Sequence, residues 1–247
     1  MLAGCRAEEE PRAPPDLSAA TAAAPACEQR RFEGSRFTVC RYEPGRDRLA
    51  LFLDGGSEPL RSFEALEARL GGEARGLRFA MNAGMYDEQG RPIGLYVENG
   101  VRRHRVNLRS GPGNFHLHPN GVFAVDDRGR VSVTPSRAFA KAARPVRWAT
   151  QSGPMLLIGG RLHPRFDADG PSRLVRNGVG VAGPGTAWFA ISEEGVSFGR
   201  FARLFRDELG CTDALYLDGT VSSLWDPGAG RRDAYSSLGP MIAVFRP

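Results

Sequence analysis

The sequence predicts an α+β fold, a largely antiparallel β-sheet built of hairpins with two or more helices packed against it. Three observations carry this. Short apolar runs are separated repeatedly by glycine-bearing turns, which read as successive hairpins. Two segments of helical period, 59–70 and 201–209, stand far apart, so helices do not alternate with strands as in a parallel α/β sheet. No regular repeat is present.

The elements follow in order. Cys27 and Cys40 flank a hairpin around Gly34; they read either as a disulfide, which suits an exported protein, or as two free thiols at strand ends. Segments 36–42 and 49–53 are expected to pair as strands. Leu60, Phe63, Leu66 and Leu70 recur at helical spacing, and Gly71-Gly72 stops that helix. The apolar run 77–81 is a strand leading into Asn82. Segments 93–97 and 101–106 flank Glu98-Asn99-Gly100, a hairpin signal. Three more hairpins are read at 122–133, 155–162 and 179–191, each closed by glycine. Phe201, Leu204, Phe205 and Leu209 mark one face of a helix that closes at Gly210, and Cys211 beyond it reads as a small buried residue. Residues 241–245 form a last strand.

Residues 27–247 contain no second linker and read as one domain. Residues 1–26 read as a disordered tether, rich in Ala, Pro and Glu and without aromatics. It begins with Leu2-Ala3-Gly4-Cys5, which matches a bacterial lipobox, where the cysteine is lipidated and anchors the chain to a membrane. Only Met1 precedes it, so the alternatives are a lipoprotein met without its signal segment and an accidental match.

The 247 residues carry a net charge of +5, and Lys141 is the only lysine. Basic residues are not interleaved with aromatics as a nucleic-acid groove requires, so no nucleic-acid partner is expected. Single arginines remain candidates for clamping phosphate or carboxylate through the guanidinium fork. No stretch is long and apolar enough to span a membrane.

Polar groups cluster beside glycines at expected strand ends. Leu215-Tyr216-Leu217 reads as a buried strand ending in Asp218, followed by Gly219, Thr220, Ser222 and Ser223. A carboxylate there has a fixed position, Gly219 lets a ligand approach, and the hydroxyls offer short donors and acceptors. Asn82 also ends a buried strand, with Gly84 close behind. Gln151, Ser152 and Gly153 precede Pro154 in an expected tight turn and could hydrogen-bond a sugar or phosphate. Arg176 precedes a glycine-punctuated strand, where it can clamp an anionic oxygen. The pattern around Ser152 lacks the glycine of a hydrolase nucleophile elbow, Thr150 standing in its place. His116 and His118 alternate and would share one face of a strand, but no further histidine has metal-ligand spacing, so no metal or other cofactor is expected.

Asn82-Ala-Gly-Met-Tyr86, Pro92-Ile-Gly94, Ser152-Gly-Pro-Met-Leu156, Arg176-Asn-Gly-Val-Gly180 and Leu217-Asp218-Gly219-Thr-Val-Ser222 together resemble, in type and order, the phosphodiester glycosidase family. The family includes the mannose-6-phosphate uncovering enzyme, and the chain is most similar to its bacterial exported branch. The resemblance covers 27–247. It departs at Thr220, where members usually have a second glycine, and at Ala83, where others often have glycine.

The resemblance implies hydrolysis of a sugar-1-phosphodiester, such as an N-acetylglucosamine-1-phosphodiester, on exported or envelope glycans by a periplasmic or secreted protein. Phosphate is already a good leaving group, so the reaction needs charge stabilisation there and a carboxylate near the anomeric carbon. On this reading Arg176 stabilises the phosphate. Asp218 acts as base, nucleophile or oxocarbenium stabiliser. Asn82, Gln151 and Ser152 position the substrate, lined by Gly84, Gly153, Gly219, Thr220 and Ser222, and Glu98 is the candidate second carboxylate. Two alternatives stand beside it: a non-catalytic phosphoglycan-binding lipoprotein on the same scaffold, and a metal-dependent phosphodiesterase using His116 and His118.

Overall fold

Runs that alternate outward polar and inward apolar residues, or are apolar on both sides, form three antiparallel sheets in the computed structural model, which describes residues 1, 26–54, 58–183 and 185–247. Cys5 and the expected tether up to residue 25 lie outside the described residues. The largest sheet has the order Cys27–Phe32, Ser35–Tyr42, Thr186–Ser192, Asn177–Ala182, Asp213–Asp218, Met155–Ile158, Arg161–Leu162. A second runs Arg231–Arg232, Leu224–Asp226, Leu77–Asn82, Met241–Phe245, Arg48–Phe52. The third runs Val101–His104, Tyr96–Glu98, Trp148–Ser152, Gly121–Val125, Val131–Pro135. Three α-helices, Phe63–Leu70, Ser136–Ala142 and Phe198–Arg203, are present among the described residues, so the class is α+β.

One apolar core lies where the inner faces of all three sheets meet. Phe189 of the largest sheet packs against Phe79 of the second at 5.4 Å and Phe123 of the third at 5.6 Å between ring centroids, both tilted or edge-on. Met155, Val179, Leu215 and Leu217 complete it from the largest sheet. The outer face of that sheet is covered by Phe198–Arg203 and the wider turn Leu204–Glu208, through Phe201, Leu204 and Phe205. Phe63, Leu66 and Leu70 bury the first helix on the second sheet, with the Ser62 hydroxyl accepting the Ala65 N–H at 3.1 Å as its N-cap. Each such aromatic or leucine side chain contributes about 1.5–3 kcal/mol by leaving water.

The expected hairpins at 122–133, 155–162 and 179–191 all form. Cys27 and Cys40 face each other across the first hairpin and are joined by a disulfide. Segments 36–42 and 49–53, expected to pair, lie in different sheets. Between them the Asp47 carboxylate accepts the Glu43 N–H at 2.8 Å and the Asp47 N–H donates to the Glu43 carbonyl at 2.9 Å. This closed turn rotates the chain out of the first sheet, and Arg48–Phe52 pairs instead with Met241–Phe245. His116 and His118 are not on a strand: Asn114–His116 is a single 3₁₀ turn, and both rings point at the Arg109 carbonyl, at 2.8 and 3.1 Å. Thr150, Gln151 and Ser152 end a strand, and the turn begins only at Gly153.

Candidate active site

The ends of the three sheets converge on Asp218. It is the last residue of Asp213–Asp218, and its antiparallel partner is Asn177, the first residue of Asn177–Ala182; the register shifts between Asn177 and Gly178. Such an irregularity at a strand end re-aims the terminal side chains. Asn82 ends its strand in the second sheet, and Ser152 ends its strand in the third. Two bonds sew the sheets together: Asn177 Nδ2 donates to Asn82 Oδ1 at 2.8 Å, and Ser152 Oγ donates to the Leu217 carbonyl at 2.7 Å.

The amide orientations follow from the backbone. The Asp218 N–H can only donate, so Asn177 presents Oδ1 to it, at 2.9 Å. The Ser223 N–H likewise requires Asn82 Oδ1, at 2.8 Å. That leaves Asn177 Nδ2 facing Asn82, as observed. Among the described residues Asn82 Nδ2 has only one long contact, 3.4 Å to Asn177 Oδ1, and is the least used donor of the pair.

Around the carboxylate the loop 219–223 folds back. Asp218 Oδ1 accepts the Gly219 and Thr220 N–H groups at 2.6 and 3.1 Å, and Ser222 Oγ donates to the Asp218 carbonyl at 2.9 Å. Burial raises the carboxyl above its ordinary range; the backbone N–H groups of Gly219, Thr220 and Val221 pull the other way and do not cancel it. Gly219 is required by contact: a Cβ there would overlap the Tyr216 hydroxyl. Tyr216 is buried, and burial foremost raises its hydroxyl, with opposing influences from Arg176 and Asp218. Tyr86 flanks the same carboxylate; its hydroxyl donates to the Ser237 carbonyl at 2.6 Å and is pushed up to about 12 by burial and, next, by the Asp218 charge.

Arg176 is wholly buried behind this group. Its Nε donates to the Val196 carbonyl at 2.8 Å, and Nη2 to the carbonyl and hydroxyl of Ser172, both at 3.1 Å. The guanidinium carbon stands 3.6 Å from the centroid of the Phe198 ring and 5.6 Å from that of Tyr216. Nη1 has no hydrogen-bond acceptor, and Arg176 has no carboxylate partner among the described residues. Burial lowers its pKa, yet a guanidinium stays charged.

The structure brings Asp218, Arg176, Asn82, Gly219, Thr220 and Ser222 together. It gives the 151–153 segment and Gly84 different surroundings. Gln151 Oε1 accepts the Leu95 and Asn107 N–H groups, both at 2.9 Å, and Nε2 donates to the Asn107 carbonyl and Ser136 Oγ at 2.7 and 3.0 Å. All four hydrogen-bonding positions of this amide are taken within the protein, and it braces the third sheet. Ser152 Oγ is engaged by Leu217, Gly153 is packed under Asn120, and a Cβ on Gly84 would overlap the Gln151 carbonyl. Glu98 accepts from the Tyr96 hydroxyl at 3.1 Å; its charged neighbours are Arg103, Asp54 and Arg69, not Asp218. Asn177, Tyr216 and Tyr86, given no role from the sequence, are central here. Among the described residues no three of His, Cys, Asp and Glu form a metal-holding group.

Comparison with known proteins bears on the family and the fold. Residues 75–234, which include Asn82, Arg176, Asn177 and Asp218, match the model of the family described as phosphodiester glycosidase. The chain is 37% identical over 194 residues to the uncharacterized protein YigE of Escherichia coli K12, covering 77% of this chain and 75% of that protein. Its fold is similar to the zebrafish N-acetylglucosamine-1-phosphodiester alpha-N-acetylglucosaminidase catalytic domain, auto-inhibited by its pro-peptide (TM-score 0.61, 13% identity, 90% of this chain and 81% of that one). It is also similar to a hypothetical protein from Synechocystis (TM-score 0.60, 15% identity, 90% and 61%) and to a protein of Burkholderia pseudomallei K96243 described as exported (TM-score 0.56, 14% identity, 85% and 74%). The chain belongs to the phosphodiester glycosidase family.

Proposed function

We propose that the protein is a hydrolase that cleaves a sugar-1-phosphodiester, with N-acetylglucosamine-1-phosphodiester as the first substrate to try. The observation that carries this is Arg176: a buried guanidinium with no carboxylate partner among the described residues and one unpaired nitrogen, set behind a half-buried carboxylate. A buried charge without a counter-charge is costly, and an anionic ligand relieves it. Family membership supports reading that anion as a phosphodiester.

In the reaction water adds across the bond between the anomeric carbon and the phosphate oxygen, giving free sugar and a phosphate monoester. Arg176, acting with the Tyr216 hydroxyl, favours the charge gathering on the departing phosphate. Asp218 stands by the anomeric carbon as nucleophile, base or stabiliser of the oxocarbenium-like state. The under-used Asn82 Nδ2 orients a sugar hydroxyl or the diester. The leaving group needs little protonation, which suits a site where Glu98 stands apart from Asp218.

We place the protein outside the cytoplasm, supported by the Cys27–Cys40 disulfide and by similarity to a protein described as exported; lipid anchoring through Cys5 is the narrower form of that proposal. A phosphoglycan-binding role without turnover is the second reading, favoured by Thr220 at a position where the family usually has glycine. The test is release of reducing sugar from an N-acetylglucosamine-1-phosphodiester, with Arg176→Ala and Asp218→Asn alongside. Turnover lost in both variants supports hydrolysis. Binding by wild type without turnover, retained in Asp218→Asn, supports the second reading.

A further inference from the structure

Residues 99–147 carry ten basic side chains and two acidic ones, Asp126 and Asp127, whereas the whole protein has 33 basic and 28 acidic. The rest of the chain is therefore slightly acidic, and the positive charge gathers on the third sheet and its helix. The packing concentrates it further. Val106, Phe139 and Val146 all lie on the small apolar cluster around Val97, Val122 and Ala149 on one face of that sheet. Their near neighbours in the chain, Arg105, Arg137, Lys141, Arg144 and Arg147, are exposed, and exposed Arg102 stands opposite Val97 on the edge strand. The Gly100 N–H donates to the Arg147 carbonyl at 2.8 Å, which ties the two ends of this ring together.

None of these six cations has an ion pair among the described residues, although fourteen other arginines do. The face is also continuous with the candidate site through the chain that leaves the edge strand. Asn107 is held by Gln151, the Arg109 carbonyl meets the His116 and His118 rings, and the Asn114 side chain reaches the Tyr216 hydroxyl.

We infer that this face binds the backbone of a polyanionic substrate, a polymer of phosphodiester-linked sugars, and feeds it to Asp218. The inference rests on the hydrolytic reading above. A polymer with one negative charge per repeat matches these six unpaired cations, five of them guanidinium groups that bind phosphate bidentately, and on binding it releases its counterions to solvent. A membrane surface fits less well: Val101 is the sole exposed large hydrophobic among residues 99–147, so no apolar wedge is present to enter a bilayer. A nucleic-acid strand would want stacking aromatics, and the exposed aromatic Tyr235 lies in another segment.

The test uses the full chain carrying Asp218→Asn, so that the polymer survives, and poly(N-acetylglucosamine-1-phosphate) as probe, with dextran and phosphatidylglycerol vesicles as comparisons. Binding to the charged polymer is expected to weaken more than about tenfold between roughly 50 and 200 mM salt. Adding Arg102→Ser, Arg105→Ser, Arg137→Ser and Arg144→Ser is expected to weaken it by about tenfold or more and to flatten the salt dependence. In the otherwise native chain the same four changes leave turnover of a small N-acetylglucosamine-1-phosphodiester unaltered. Equal polymer binding with and without the four arginines overturns the inference, as does binding to the vesicles alone. Absence of hydrolysis on small and polymeric diesters alike defeats the hydrolytic reading instead, and the binding contrast still decides this one.

Discussion

Asn177 and Asp218 face each other at the open ends of paired strands, and the Asn177 Oδ1 accepts the Asp218 N–H at 2.9 Å while its Nδ2 reaches Asn82 Oδ1 at 2.8 Å. One side chain thus ties the Asp218 backbone of the largest sheet to the Asn82 amide of the second. Removing it leaves the Asp218 N–H without its acceptor, costing about 1–3 kcal/mol, and leaves Asn82 Oδ1 with the Ser223 N–H alone. Asn177→Ala is expected to lose about 2–4 kcal/mol of stability in urea denaturation and, at a temperature where it remains folded, at least about a hundredfold in turnover. A stability loss with unchanged kcat would mean that Asn177 holds the sheets together but not the site.

Asp218 has a pH signature. Burial raises its folded-state pKa above the unfolded value. Between the two values the folded protein keeps a proton that the unfolded chain has released, so stability falls as pH rises through that window and stays lower above it. Asp218→Asn removes the dependence. The variant is expected to be more stable than wild type at neutral pH, with the gap closing below the ordinary carboxylate range, while hydrolysis is abolished. Wild-type kcat is expected to have an acid limb above the usual aspartate range, since only the ionised carboxylate serves. A limb at or below that range, or no neutral-pH stability gain in the variant, contradicts this account.

Gly219 and Tyr216 form a steric pair. A methyl group on Gly219 would collide with the Tyr216 hydroxyl, and Tyr216 is too buried to step aside, so the backbone must move and carry its N–H groups off Asp218 Oδ1. Gly219→Ala is expected to cost about 1–3 kcal/mol. Combined with Tyr216→Phe, which removes the colliding oxygen, the loss should be less than the sum of the single losses. Additive losses in thermal denaturation would rule out the collision.

Much of this was legible in the sequence, for local reasons. Glycine turns and apolar runs specify each hairpin by contacts only a few residues apart, so 122–133, 155–162 and 179–191 are read directly. The pairing of Arg48–Phe52 with Met241–Phe245 depends on partners almost two hundred residues apart, and nothing near residue 50 announces it. The site divides in the same way. Asp218 and Asn82 stand out as polar residues ending apolar runs. Gln151 looked equally available, because its saturation comes from Leu95, Asn107 and Ser136, which only the assembled third sheet brings to it. Tyr216 was hidden for the opposite reason: inside Leu215-Tyr216-Leu217 it reads as core, and it is core, with only its hydroxyl reaching the site.

Arg176 makes the anion site measurable without any sugar. Val196, Ser172 and Phe198 hold the guanidinium in place, while Nη1 is left without an acceptor among the described residues. A phosphate ion that pairs with this charge binds only the folded state and so raises stability by mass action, by about 2.7 kcal/mol at a hundred times its dissociation constant. Inorganic phosphate is therefore expected to raise the thermal midpoint of wild type in proportion to the logarithm of its concentration once above that constant, at fixed ionic strength. Arg176→Met keeps the length and the apolar contact with Phe198 but loses the charge, so its midpoint should not respond and its turnover should fall at least about a hundredfold. Arg176→Lys keeps the charge but cannot bond Val196 and Ser172 at once, and it should respond to phosphate weakly while remaining far below wild type in kcat. If phosphate raised the midpoint of Arg176→Met as much as that of wild type, the anion would be bound elsewhere, and Arg176 would be only a brace between Phe198 and the 172–176 segment.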